Sequence, residues 1–311
     1  MNGPRTLPIR LAPLPGEALD SWLEALAERL HTNIFDFFRS AGVTTRWNTA
    51  RGRKPWVHHL DADQLAAVSI ATGVPADTLA AMTLDRYAGT GLIVDRPARA
   101  RSRPRWWRGL NGSRFCPRCL SDNGNRWMLS WRLAWSFACA RHHTLLRDTC
   151  PACRRRHVWT RTLPLGSPYL GDLGLALPEN SPRGGTPACA FPLAEADTVS
   201  LDPEGPVLRA QHRIDTTNTA LLAARRTLAD LPPLQQVLDD LHATARAVLA
   251  AFGTSTTPPE TITAITRRLR AENGFPDSAH HDRASHVAFG ATAAHLMLAT
   301  GPAAPDPEIT E

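Results

Sequence analysis

Lysine is almost missing from this chain. Lys54 is the only one in 311 residues, so nearly all of the positive charge is arginine. Such a ratio, beside so much Ala and Pro, is what a GC-rich genome produces, and arginine abundance alone therefore carries no functional weight. Nothing approaches about 18 consecutive apolar residues, so no membrane-spanning helix and no membrane partner are expected. Met1 to Arg10 contains Pro4 and Pro8 and no apolar centre, which argues against a secretory leader and for a cytoplasmic protein. Catalytic motifs are lacking as well. There is no HExxH, no HxE paired with PCxxC as zinc deaminases require, and no GxxxxGK[ST] phosphate loop. The chain is expected not to be an enzyme.

What is present is a basic protein long enough for two or three compact domains. Its net charge of +6 and pI near 9.4 favour a polyanionic partner. The charge is concentrated. Between Arg96 and Arg161 stand sixteen arginines and no lysine against Asp122 and Asp148, a local net of +14 that leaves the remainder of the chain acidic. Its first stretch, R-P-A-R-A-R-S-R-P-R-W-W-R, reads as an irregular connector. Arg101, Arg103, Arg105 and Arg108 there are candidates for phosphate-backbone contact. An earlier loop, Thr44 to Trp56, carries Arg46, Trp47, Arg51, Arg53, Lys54 and Trp56. Arginine among aromatics suits phosphate contact and base stacking, and a solvated loop anchored by its tryptophans accounts for it equally well.

The cysteines are the most specific signal. Five of the six fall between Cys116 and Cys153, as C-P-R-C (Cys116, Cys119), C-A-R-H (Cys139, His142) and C-P-A-C (Cys150, Cys153). Paired sulfurs at this spacing turn toward one tetrahedral ion, and zinc favours a closed sulfur–nitrogen shell. Without a secretion signal, metal ligands are a better reading than disulfides. The successive pairs Cys116, Cys119, Cys139 and His142 form the first expected site. Cys150 and Cys153 then need two more ligands, with Cys189 and His157 in reach of a second site. A rival four-cysteine set of Cys116, Cys119, Cys150 and Cys153 would strand Cys139 and His142. Four protein ligands leave no position for a water, so the zinc is expected to be structural.

Periodicity predicts a mainly α protein. A first helix spans Glu17 to Leu30 with Leu19, Trp22, Leu23, Leu26 and Leu30 on one stripe. A second runs to Ala41 with Asn33 as cap, Gly42 as stop, and Ile34, Phe35, Phe37 and Phe38 inward. Ala62 to Thr72, Gly73-Val74-Pro75 and Ala76 to Leu84 read as a helix-turn-helix, with Leu65, Val68 and Ile70 inward. The would-be recognition helix carries Asp77, Thr78 and Thr83 and no Arg, Gln or Asn to read base edges, which favours a scaffold. Trp127, Trp131 and Trp135, at i, i+4 and i+8, suit one helical face of packed core. Leu163 to Pro206 reads as a Pro/Gly-rich loop. Helices resume near Val207 and continue over 234–249, 260–272 and 285–300, with His280 and His281 in a solvated loop. The expected domains are therefore 1–110 (helical, with the helix-turn-helix), 111–200 (a zinc-ribbon or zinc-finger module), 201–300 (helical) and a disordered tail over 301–311.

Four stretches together resemble the TniQ family of transposon target-selection proteins: L-P-I-R-L-A-P-L-P-G-E-A-L-D-S-W-L at the amino terminus, C-P-R-C-L, W-R-L-A-W-S-F-A-C-A-R-H, and L-L-R-D-T-C-P-A-C. The resemblance covers roughly residues 5 to 160. It implies an amino-terminal helix-turn-helix region and tandem zinc motifs. It also implies a role in directing transposition, by reading DNA or by bridging an RNA-guided complex to the transposon's AAA+ ATPase. Carried over, the first motif's ligands are Cys116, Cys119, Cys139 and His142, and the second motif begins with Cys150 and Cys153. The family's further cysteine pair is reduced here to Cys189. The resulting expectation is a non-catalytic zinc adaptor whose partners are nucleic acid and the ATPase, with homodimerisation left open. The alternative is a stand-alone zinc-containing DNA-binding transcriptional regulator.

Overall fold

The computed structural model describes residues 6–43, 55–88, 90, 92–95, 101–104, 113–154, 189, 191–227 and 236–245. Among them the protein is mainly α, as expected, with two short antiparallel hairpins. The chain divides into two units, Met1–Ser136 with Leu146–Thr198, and Phe137–Leu145 with Val199–Glu311. The expected helices over 260–272 and 285–300, His280, His281, the acidic tail and most of 163–206 lie outside the described residues.

In the first unit, α1 (Leu19–Arg29) buries Leu19, Trp22, Leu23 and Leu26 on the stripe read from its sequence. Each such side chain contributes about 1.5–3 kcal/mol when fully removed from water. The Trp22 indole is fully buried and donates from Nε1 to the Leu11 carbonyl at 2.9 Å, as expected of a core residue. The helix begins at Leu19 rather than Glu17 because Glu17 pairs with Met128 in an antiparallel bridge. Ala18 N donates to the Trp127 carbonyl and Leu129 N to that of Gly16, both at 2.9 Å.

Helix α2 (Ile34–Ser40) starts at Asn33, whose Oδ1 accepts from Asp36 N at 3.0 Å, and Gly42 follows its end with φ +76°. Phe37 and Phe38 are buried, while Ile34 and Phe35 are half-buried. Trp56 is fully buried, edge-on to Phe35 at 5.8 Å and to Phe38 at 5.5 Å. It has no open face on which a base could stack, and residues 44–54 of the expected basic loop lie outside the described residues.

Helices α3 (Ala62–Thr72) and α4 (Ala76–Ala81) pack on each other across Gly73-Val74-Pro75. Asp61 and Gln64 close a reciprocal capping box at 2.9 and 3.1 Å, and Gly73, at φ +74°, ends α3 in the left-handed region that glycine tolerates. Two expectations need correction. Ile70 is 51% exposed, not inward, because residues two apart on a helix point about 200° apart and Val68 takes the buried face with Ala71 and Thr72. Helix α4 stops at Ala81, and Leu84–Tyr87 form a separate 3-10 turn.

The connector expected to be irregular contains a strand. β1 (Leu92–Asp95) pairs antiparallel with β2 (Arg101–Pro104), in the register Leu92↔Pro104 to Asp95↔Arg101. The run Leu92-Ile93-Val94 is β-prone and pairs with Pro104, Arg103 and Ser102 in turn.

The tryptophan-rich stretch forms no α-helix. Only Leu129–Arg132 make a 3-10 turn, although Trp127, Trp131 and Trp135 are all buried. The backbone around Met128 is bound to residues 16–18, and that pairing prevents an uninterrupted helix through all three tryptophans. Helix α5 (Pro117–Asp122) packs on the 3-10 turn Leu193–Glu195.

In the second unit, the two-residue strands β3 (Ala138–Cys139) and β4 (Thr144–Leu145) form a hairpin. Helix α6 (Pro206–Thr227) appears where helices were expected to resume, and residues 236–245 are also helical. From α6, the buried Gln211 accepts through Oε1 from the backbone of Phe137 at 2.8 Å and of Ala138 at 3.2 Å, which fixes the approach to β3.

Candidate metal centre

Each cysteine pair sits on a tight local fold. Cys116 occupies the N-cap position of α5, with Pro117 in its first turn, where the missing proline N–H costs nothing. Leu120 N donates to the Cys116 carbonyl at 3.0 Å, so Cys119 follows within one helical turn. Cys139 ends β3, and the turn through residues 140–143 presents His142 before β4 begins. That turn needs a left-handed residue, His143 at φ +50°, and Leu201 N holds its carbonyl at 2.7 Å. After Cys150, the Arg154 N–H returns to the Cys150 carbonyl at 2.9 Å, with Arg154 itself at φ +59°.

Two clusters result. The donor atoms of Cys116, Cys119, Cys139 and His142 all lie within 4.8 Å of one another, and so do those of Cys150, Cys153 and Cys189. Zinc bonds of about 2.3 Å to sulfur and 2.0–2.1 Å to nitrogen give a tetrahedron with S–S edges of about 3.8 Å and S–N edges of about 3.6 Å. Cys139 Sγ stands 3.6 Å from His142 Nδ1, and Cys150 Sγ stands 3.9 Å from Cys189 Sγ. Both clusters could therefore hold a metal ion, and their donors fit zinc. They differ in enclosure. All three cysteines of the first are buried, whereas Cys153 and Cys189 are half-exposed.

The expected first set is thus brought together. Cys150 and Cys153 group with Cys189 rather than with Cys116 and Cys119 as in the rival set. His157 lies outside the described residues, as do Arg46, Arg51, Arg53, Lys54, Arg105 and Arg108. Arg101 and Arg103 stand on β2.

Sequence reading missed the buried ion pairs. Arg114 Nε meets Asp148 Oδ1 at 2.9 Å, each side chain only 1% exposed. Arg132 meets Asp20 at 2.7 Å, and Arg126 grips Glu17 through both Nε and Nη2, the latter at 2.6 Å. Arg147 donates to the Asp197 carbonyl at 2.6 Å. These arginines belong to the basic stretch, yet their donors are directed into the protein. The supply of phosphate contacts there is smaller than the count of sixteen implies. Arg118, Arg141 and Arg154 remain at the surface. No local pattern marks such pairs, because Glu17 and Asp20 lie more than 100 residues from their partners in the chain.

A mainly helical protein with two cysteine clusters able to take metal is the class these features define. A family model, TniQ, matches residues 8–146, a little under half of the chain, and over that stretch the expected family resemblance is borne out. The matched stretch includes all four donors of the first cluster. No curated protein sequence matches the chain. The TniQ domain implies a transposition-associated role in target selection. No helix among the described residues is long and apolar enough to cross a membrane.

Proposed function

We propose that this protein is a non-catalytic adaptor for transposition target selection, stabilised by zinc, that engages nucleic acid and couples a targeting complex to the transposon's AAA+ ATPase. The observation that carries this reading is the convergence of a closed Cys3His donor set inside the TniQ-matched stretch. Cys116, Cys119, Cys139 and His142 would hold one zinc, and Cys150, Cys153 and Cys189 would contribute to a second, with His157 as a further ligand. When bound, the metal supplies a structural crosslink, because four protein ligands complete its shell. The chain's own residues do the rest. Arg101, Arg103, Arg105 and Arg108, with Arg46, Arg51, Arg53 and Lys54, supply sequence-independent phosphate contacts whose strength falls as salt rises. Helices α3 and α4 act as a scaffold, since α4 offers Asp77 and Thr78 and no base-reading side chain.

The test is a pull-down of the neighbouring AAA+ ATPase, with and without RNA, alongside a salt titration of DNA and RNA binding. Retention of the ATPase, and weaker nucleic-acid binding with a shallower salt slope after changing Arg101, Arg103 and Arg105 to Glu, are the expected results. DNA binding with no ATPase capture would favour the transcriptional regulator. An unchanged salt slope in the triple variant would remove the phosphate role of β2 and its flank.

A further inference from the structure

Arg114 lies two residues before Cys116 and Asp148 two residues before Cys150, the first cysteines of two C-P-x-C turns. The backbones beside them are paired: Phe115 N donates to the Arg147 carbonyl at 2.9 Å, and Arg147 N returns to Phe115 at 2.8 Å. Inside that bridge the guanidinium of Arg114 meets Asp148 through Nε at 2.9 Å. Its Nη1 also donates to the carbonyls of Leu133 at 3.4 Å, Ala134 at 3.0 Å and Ser136. Ser136 stands three residues ahead of Cys139 in the chain. One cation therefore ties together the segments that lead into the Cys116, Cys139 and Cys150 pairs. Asp148 and the carbonyls take up Nε and Nη1 of a buried charge that would otherwise be costly to remove from water.

We propose that the Arg114–Asp148 pair is a positioning device for both candidate metal clusters, setting the approach of their ligand-bearing segments before metal binds. The idea rests on the zinc reading above. Its physical basis is preorganisation: a segment already fixed in direction loses less conformational freedom when its thiolates close on an ion. Ligand-supporting contacts outside the coordination shell typically govern affinity by about 10–100-fold. A buried ion pair kept only for stability can often be replaced by apolar residues without loss. The two roles are therefore separable.

The experiment measures zinc per chain by native mass spectrometry, affinity by chelator competition, and the visible absorption of the cobalt(II)-substituted full-length protein. It compares wild type, Asp148→Asn, the apolar double variant Arg114→Met with Asp148→Leu, and Arg126→Met, which breaks a different buried pair. The expected result is a loss of about 10–100-fold in affinity at both clusters in Asp148→Asn and in the double variant. A broadened cobalt spectrum should accompany it, with Arg126→Met normal in both readouts. Wild-type metal binding in the double variant would overturn the proposal, as would an equal loss in Arg126→Met, which would mark general destabilisation. If Asp148→Asn fails to fold, the double variant and Arg126→Met still decide. A wild-type protein that takes up no zinc or cobalt would instead sink the zinc reading itself.

Discussion

The α3–α4 pair and the segment 113–136 belong to the same unit, yet they are held by different physics. The helix pair is built from neighbours in sequence: a capping box at Asp61 and Gln64, a left-handed Gly73, and a buried stripe through Val68 and Leu79. Segment 113–136 has little regular structure and is fixed by distant partners. Residues 16–18 take its backbone, Glu17 and Asp20 take its arginines, and Asp148 takes Arg114. A region of the first kind degrades gradually under mutation. A region of the second kind fails when one partner is lost, because a desolvated charge or an incomplete ligand set remains behind.

The sharpest way to break this contrast is Cys119→Ser. About one zinc per chain should be lost and stability should fall by several kcal/mol, since ligand binding and folding are coupled in such sites. Native mass spectrometry with thermal melting checks it, and unchanged metal content would dismiss the first cluster. Next is Glu17→Gln, which leaves the Arg126 guanidinium facing a neutral partner at an almost fully buried site. A cost of about 3 kcal/mol is expected in denaturant titration. Val68→Ala, at a fully buried position on α3, should cost about 2 kcal/mol by the same titration. Asp61→Ala removes one half of the capping box and should cost about 1 kcal/mol. Ile70→Ser should be nearly silent, within about 0.5 kcal/mol, and a cost near that of Val68→Ala would show that the exposed face of α3 is covered in solution. Should the two helix-pair core and cap variants prove more damaging than Glu17→Gln, the contrast between the regions would collapse.

Legibility followed the same division. The α1 stripe, the Asn33 cap, the Gly42 and Gly73 stops and the partners within each C-x-x-C or C-x-x-H pair were readable because each depends on residues at most seven apart. Where reading failed, the deciding partner was remote. Trp127, Trp131 and Trp135 have helical spacing, but Met128 pairs with Glu17 and only a 3-10 turn forms between them. Arg101 and Arg103 looked like an open connector until Leu92–Asp95 took them as a strand partner. The Ile70 error was different in kind, since the helical period alone places it opposite Val68.

The sequence by itself determined the donor chemistry: three cysteine-bearing pairs at knuckle spacing, one of them completed by histidine. It also carried the TniQ resemblance, through motifs within and just beyond the matched residues 8–146. Only the tertiary structure decided which pairs share a cluster and which arginines are withdrawn into buried pairs. Local spacing limits where two side chains three residues apart can point. Choosing among remote segments depends on how the whole chain buries charge and apolar surface at once, and Arg114 reaching Asp148 across 34 residues is where that choice is made.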